Sequence, residues 1–233
     1  MGGQACILYG AAEFTRDSDF AVSPDEANLA RLRAALAELD ARAIYVPALD
    51  PAVLEKGHAC HFRCGAPEVR DWRIDVMSKL RGCPEFAQLW RRRTRVRLSP
   101  RGTVAALGIE DLVVAKKTQR DKDWPMIARL VEADYVRCGM RPPPSRVQFW
   151  LREARTAELL LRLVKRFPGT SRRLAATRPA LAAALRGERR AIERELHREQ
   201  ERERAADRAY WAALRAELAQ WRRAGRVSRV PHT

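Results

Sequence analysis

Acidic residues are scarce in this chain. Against 45 Lys and Arg it carries only 29 Asp and Glu, a formal charge of +16 that favours polyanionic partners through counterion release. Nearly all the basic residues are Arg, and Ala, Arg and Leu dominate, as a GC-rich coding sequence would also produce, so the charge speaks to non-specific binding rather than to fold. Long apolar runs are missing, which excludes a transmembrane helix, and the first residues lack the basic region and apolar core of a secretory leader. Cysteine is sparse and irregular: Cys6, Cys60, Cys64, Cys83 and Cys138 have no disulfide-scaffold rhythm, and a reducing, cytoplasmic setting is expected. His58, Cys60, His61 and Cys64 are possible zinc ligands, but their spacing matches no finger or ribbon. Because Phe62 shares the strand face of Cys60 and Cys64, a half-buried strand is the better reading.

What is present suits one medium domain plus an appendage, or two small domains: 233 residues, 46% of them hydrophobic. Ser23-Pro24-Asp25-Glu26 starts a helix, capped by Ser23 or Asp25, whose stripe is Leu29, Leu32, Leu36 and Leu39. Short strands are predicted over residues 43–46, 58–64 and 72–77, with a helical turn at 51–54. Arg95-Val96-Arg97-Leu98 alternates as a strand with one charged face, and a strand at 103–107 leads to helices beginning near Asp111 and Trp124. Arg141-Pro142-Pro143-Pro144-Ser145 reads as a stiff linker, dividing the chain into residues 1–140 and a helical region, 145–233. That region is expected to form helices over 147–167, 173–185 and 187–224. In the last of these, interspersed Glu and Arg mark a solvated face and secondarily an RNA-binding arm. Its apolar members, Ile192, Leu196, Tyr210, Trp211, Leu214, Leu218 and Trp221, form a stripe for packing on the first domain or on a second subunit.

Chemistry is concentrated near the start. In a strand running through Arg16-Asp17-Ser18-Asp19-Phe20, Asp17 and Asp19 project from one face and Ser18 and Phe20 from the other. Gly2-Gly3 precedes them, a pair that lets backbone approach an anion or simply makes a left-handed turn. Two carboxylates beside such a pair suggest a divalent metal next to a phosphate chain, although acidic pairs also occur on solvated strand edges. In the strand at 72–77, Ile74 and Val76 share the apolar face and leave Asp75 opposite with Arg73 and Met77. A mid-strand carboxylate is costly unless it is paired, exposed or metal-bound, which makes Asp75 the third candidate ligand; an edge-strand salt bridge to Arg73 or Arg63 is the alternative.

Taken together, Gly-Gly, thirteen residues, Asp-x-Asp, a later apolar strand with a single Asp, and the segment from Glu110-Asp111-Leu112 through Lys116 to Lys122-Asp123 resemble the nucleotidyltransferase superfamily of the DNA polymerase beta type. The likeness is to its minimal bacterial members, which include abortive-infection toxins, and it covers residues 1 to about 135. It implies an α/β (α+β) fold with a mixed sheet of five or so strands flanked by helices, followed here by an all-helical C-terminal region. It also implies that Asp17, Asp19 and Asp75 bind Mg²⁺ or Mn²⁺, with Asp75 helping to deprotonate the incoming hydroxyl. Gly2 and Gly3 would contact the nucleotide phosphates, Lys116 would neutralise phosphate charge, and Asp123 would fix Lys116 or the adjoining helix. The implied activity is transfer of a nucleoside monophosphate from an NTP such as ATP to a hydroxyl on RNA, protein or a small molecule. A non-catalytic module of the same fold, binding nucleic acid or a protein partner, is the alternative. Toxin–antitoxin membership and homodimerisation through the C-terminal helices are further expectations.

Overall fold

The computed structural model describes residues 1–44, 47–98 and 102–225. The chain divides into two units, residues 1–8, 12–115 and 209–233 forming the first and residues 9–11 and 116–208 the second.

The first unit is built on a mixed sheet of four strands: β1 (Asp17–Ala21), β2 (Arg42–Ala43), β3 (Cys60–Arg63) and β4 (Arg73–Met77), in the order β1-β4-β3-β2. β1 runs parallel to β4, with Asp19 opposite Asp75, while β4 to β3 and β3 to β2 are antiparallel. The return from β1 to a parallel neighbour requires a long crossover, and the chain supplies it through α2 (Glu26–Glu38), β2, α3 (Pro51–Glu55) and β3. Asp25 caps α2 by accepting from the Asn28 amide at 2.8 Å, and Asp50 caps α3 by accepting from Ala52 at 2.8 Å.

One sheet face is apolar. Ile74 and Val76 of β4 and Cys60 and Phe62 of β3 pack with Leu29 and Leu36 of α2 and Leu54 of α3. These are the alternate strand positions predicted to face inward, and burial pushes the Cys60 thiol up to about 12, a value that belongs to an inert core residue. The opposite positions put Asp19, Asp75, His61 and Arg73 on the other face. Among the described residues this sheet has four strands, and β5 (Thr94–Leu98) and β6 (Gly102–Ala106) pair with each other as a separate antiparallel ribbon, following α4 (Phe86–Arg91) and preceding α5 (Ile109–Ala115). Of the strand predicted over 43–46, Ala43 lies in β2, whereas Tyr45 and Val46 fall outside the described residues.

From α6 (Asp123–Cys138) onward the elements among the described residues are all helices. The helix expected over 147–167 is two, α7 (Pro144–Glu153) and α8 (Ala157–Arg166). Between them Ala154 takes an extended conformation and Thr156 caps α8. Buried Arg178 donates to the Leu151 and Ala154 carbonyls at 2.6 and 2.7 Å, occupying acceptors that a continuous helix would have used. The helix expected over 173–185 is likewise broken, into α9 (Pro168–Ala175) and α10 (Pro179–Leu185), because Pro179 lacks the N–H that continuity needs. α11 (Arg189–Arg223) is one long helix. In its first half Ile192 and Leu196 are buried. In its last turns Glu217 contacts His58 and Lys56 at 2.8 and 2.7 Å, and the Trp221 ring lies 4.8 Å from that of His58. No helix among the described residues is long and apolar enough to cross a membrane.

Candidate metal centre

Three carboxylates meet on the polar face of the first unit. Asp17 and Asp19 are brought to one side by the alternation of β1, and parallel pairing in register with β4 sets Asp75 beside Asp19. Ligand oxygens from the three lie within 4.8 Å of one another, Asp17 and Asp19 partly exposed and Asp75 buried. This is the convergence that the Asp-x-Asp spacing and the lone Asp75 foreshadow.

Neighbouring groups hold the three in place. Thr15 Oγ1 donates to Asp17 Oδ1 at 2.6 Å. Asp75 Oδ1 accepts from Arg73 Nε at 2.7 Å and lies 2.8 Å from His61 Nδ1, while an Arg73 guanidinium nitrogen is 3.1 Å from the same imidazole nitrogen. Burial alone would push the Asp75 carboxyl up, but the hydrogen bonds and charge of His61 and Arg73 outweigh it and hold the group below its ordinary range. The salt bridge to Arg73 that the sequence offered as an alternative is therefore present, though on an interior strand, and it coexists with the cluster. Among the described residues the second oxygens of Asp17 and Asp75 carry no hydrogen bond.

The glycine pair explains how α1 (Gly2–Leu8) fits against this face. Gly2 has φ +59°, and a Cβ there would sit 1.7 Å from Asp19 Oδ2; one on Gly3 would sit 2.4 Å from Thr15 Oγ1. The Met1 nitrogen donates to the Asp19 carbonyl at 2.6 Å. The pair is thus a close approach of backbone to the two residues that frame Asp17.

An all-oxygen, anionic donor set suits a hard divalent cation such as Mg²⁺ or Mn²⁺ and not a thiolate-seeking metal. Convergent like charges also favour a cation between them. The zinc alternative gains no support, because the triad is the one grouping of three or more potential metal ligands among the described residues.

Lys116 and Asp123 belong to the second unit. Lys116 Nζ donates to Asp123 Oδ1 at 3.0 Å, and both side chains are buried. Thr118 Oγ1 and Arg120 Nε donate to the other carboxylate oxygen at 2.5 and 2.7 Å. Burial raises the Asp123 carboxyl, but Lys116, Thr118 and Arg120 more than compensate and hold it below the usual range.

Arg73 was foreseen as a partner of Asp75, whereas His61 and Thr15 are the site residues that sequence reasoning missed. A signal existed for the first of these, since placing β3 antiparallel to β4 sets His61 opposite Asp75. No known family model matches this sequence, and no curated protein matches it either.

Proposed function

We propose that this chain is a metal-dependent nucleotidyltransferase, moving a nucleoside monophosphate from an NTP to a hydroxyl acceptor. The observation that carries the reading is the convergence of Asp17, Asp19 and Asp75 from two parallel neighbouring strands. In the reaction the acceptor oxygen bonds to the α-phosphorus, the bond from that phosphorus to the bridging oxygen breaks, pyrophosphate leaves, and the hydroxyl proton is released. A divalent cation held by the three carboxylates supplies Lewis-acid polarisation of the phosphoryl group and neutralises its charge.

The remaining work falls to the protein's own groups. Arg73 and His61 fix the Asp75 carboxylate and keep it ionised, which suits a ligand better than a strong base. Positioning then carries more of the rate than proton transfer does. Gly2 and Gly3 let the start of α1 lie against Asp19 and Thr15, where their backbone would meet the phosphates.

Incubation with each labelled NTP, Mg²⁺ or Mn²⁺ and total RNA or lysate tests the proposal. Label transfer should fall by about 10²–10³-fold in Asp17→Asn and in Asp75→Asn, with the thermal transition retained. Mn²⁺ titration followed by electron paramagnetic resonance should show the same variants losing the ion. A second reading, a non-catalytic module for nucleic acid or a protein partner within a toxin–antitoxin pair, draws on the Arg73–Asp75 salt bridge. Unchanged Mn²⁺ binding in Asp75→Asn, with no transfer by the unmodified protein, would favour it.

A further inference from the structure

We infer that the β5–β6 ribbon and the end of α4 form a binding surface for single-stranded RNA. Alternation and register set Arg95 and Arg97 on one ribbon face, opposite Ala105 and Thr103, small partners that leave both guanidinium groups clear. Both arginines are exposed. Elsewhere arginines are commonly neutralised: Arg73, Arg92, Arg155, Arg178 and Arg204 all pair with carboxylates. Among the described residues no carboxylate pairs with Arg91, Arg93, Arg95 or Arg97, so a run of one sign stands without counter-charge and is complementary to a phosphate backbone.

Beside this run lies a stacking element. Trp90 is 48% exposed; the Arg93 guanidinium sits 4.0 Å from its ring centroid, and Phe86 stacks with it at 5.9 Å. Unpaired bases stack on aromatic rings and guanidinium planes, whereas bases within a duplex do not present their faces, and the deep, narrow major groove of A-form RNA does not admit side chains. Arginine is suited to both tasks, binding phosphate through its fork and stacking through its plane.

The ribbon is anchored at its base. Arg92 Nη2 pairs with Asp111 Oδ1 at 2.5 Å, while Leu89, Ala106, Leu107 and Ile109 are buried at the base. The Arg92 carbonyl lies 2.7 Å from where a Cβ on Gly108 would stand, so the turn into α5 is packed against the start of the ribbon. That RNA is the acceptor of the transferred nucleotide rests on the transferase reading above; the binding itself does not.

Anisotropy of a labelled 20-nucleotide RNA, measured without metal or NTP and across a salt series, tests the inference on the full chain. The Arg93→Ser/Arg95→Ser/Arg97→Ser variant should bind at least about tenfold more weakly, and its log K against log salt slope should fall by about two, near 0.7 for each phosphate no longer neutralised. Trp90→Ala should weaken binding by about fivefold or more with little change in slope. Replacing the same three arginines by lysine, which keeps the charge and guards against a folding defect, should retain the slope and lose part of the affinity. A charge-matched control, Arg194→Ser/Arg202→Ser/Arg208→Ser on the exposed face of α11, should bind within about twofold of the unmodified protein. Equal losses in the control and the ribbon variant would overturn the proposal in favour of bulk charge, as would preference for a duplex or for single-stranded DNA of the same sequence. Asp17→Asn should bind RNA normally; lost transfer with retained RNA binding supports both readings, and retained binding with no transfer by the unmodified protein removes only the transferase.

Discussion

Gly2 is the residue whose substitution discriminates most sharply between a built site and a chance meeting of acids. Its φ of +59° and the 1.7 Å that a Cβ would leave to Asp19 Oδ2 mean that Gly2→Ala must displace the Asp19 carboxylate or the start of α1. Backbone strain costs about 1–2 kcal/mol. If the three carboxylates bind a cation, affinity for Mn²⁺ should drop by about tenfold or more while the rest of the fold persists, measured by titration beside a circular-dichroism melt. Unchanged Mn²⁺ affinity would mean that Asp19 is not a ligand. At this scale the site was readable because its information is local: Asp17 and Asp19 are two apart on one strand, and Asp75 betrays itself as a carboxylate between Ile74 and Val76. Arg73 on Asp75 is local in the same way and was offered as a salt bridge, whereas His61 on Asp75 stayed hidden because it depends on which strands pair and in what register, and a single chain does not display that.

Among the elements, the turn from α5 into α6 is heavily tied. Asp123 is 0% exposed and receives Lys116, Thr118 and Arg120, while the Trp124 indole donates to the Thr118 carbonyl at 2.9 Å and the Gln119 amide to Asp207 at 2.9 Å. Removing one partner of a buried pair strands the other charge, so Asp123→Ala should cost about 3–5 kcal/mol in chemical denaturation, and Lys116→Met, which leaves Asp123 its other donors, should cost less. Equal and small losses would show the pair to be dispensable for stability. Helix and strand positions followed from periodicity wherever one face is buried, as in Leu29 and Leu36 of α2 or Cys60 and Phe62 of β3. The breaks at Ala154 and Thr177–Arg178 did not, because one is stabilised by a buried arginine from a distant turn and the other by a proline within an otherwise helical pattern. The ribbon shows the same division: its alternation was legible, its detachment from the main sheet was not.

Charge governs the whole molecule through its response to acid. Asp123 and Glu199 are held below their ordinary values of 3.8 and 4.5, in each case because paired cations and hydrogen bonds overcome the effect of burial. The unfolded chain therefore takes up protons first as pH falls, and the stability these two groups contribute is complete above about pH 4.5 and lost as pH drops through their folded values. Asp111 acts in the opposite sense, since burial outweighs Arg92 and raises it, so its native form is favoured by protonation. With Asp75 also held below its ordinary range, the depressed carboxyls outnumber the raised Asp111 and set a falling stability on the acid side. Protonating all 29 carboxylates then leaves 45 Lys and Arg without counter-charge, adding self-repulsion to the loss of pairs. Thermal transitions should accordingly be level from about pH 7 to 5.5 and decline below about 4.5. Salt at about 0.5 M screens repulsion beyond a few ångströms but acts less on buried pairs, so it should recover only part of the acid loss. In Asp123→Asn the acid decline should be shallower than in the unmodified protein, because one depressed carboxyl has been removed, even though the variant starts from lower stability. A decline abolished by salt would assign the acid response to net repulsion alone, and an unchanged slope in Asp123→Asn would deny that this carboxyl is depressed in the folded state.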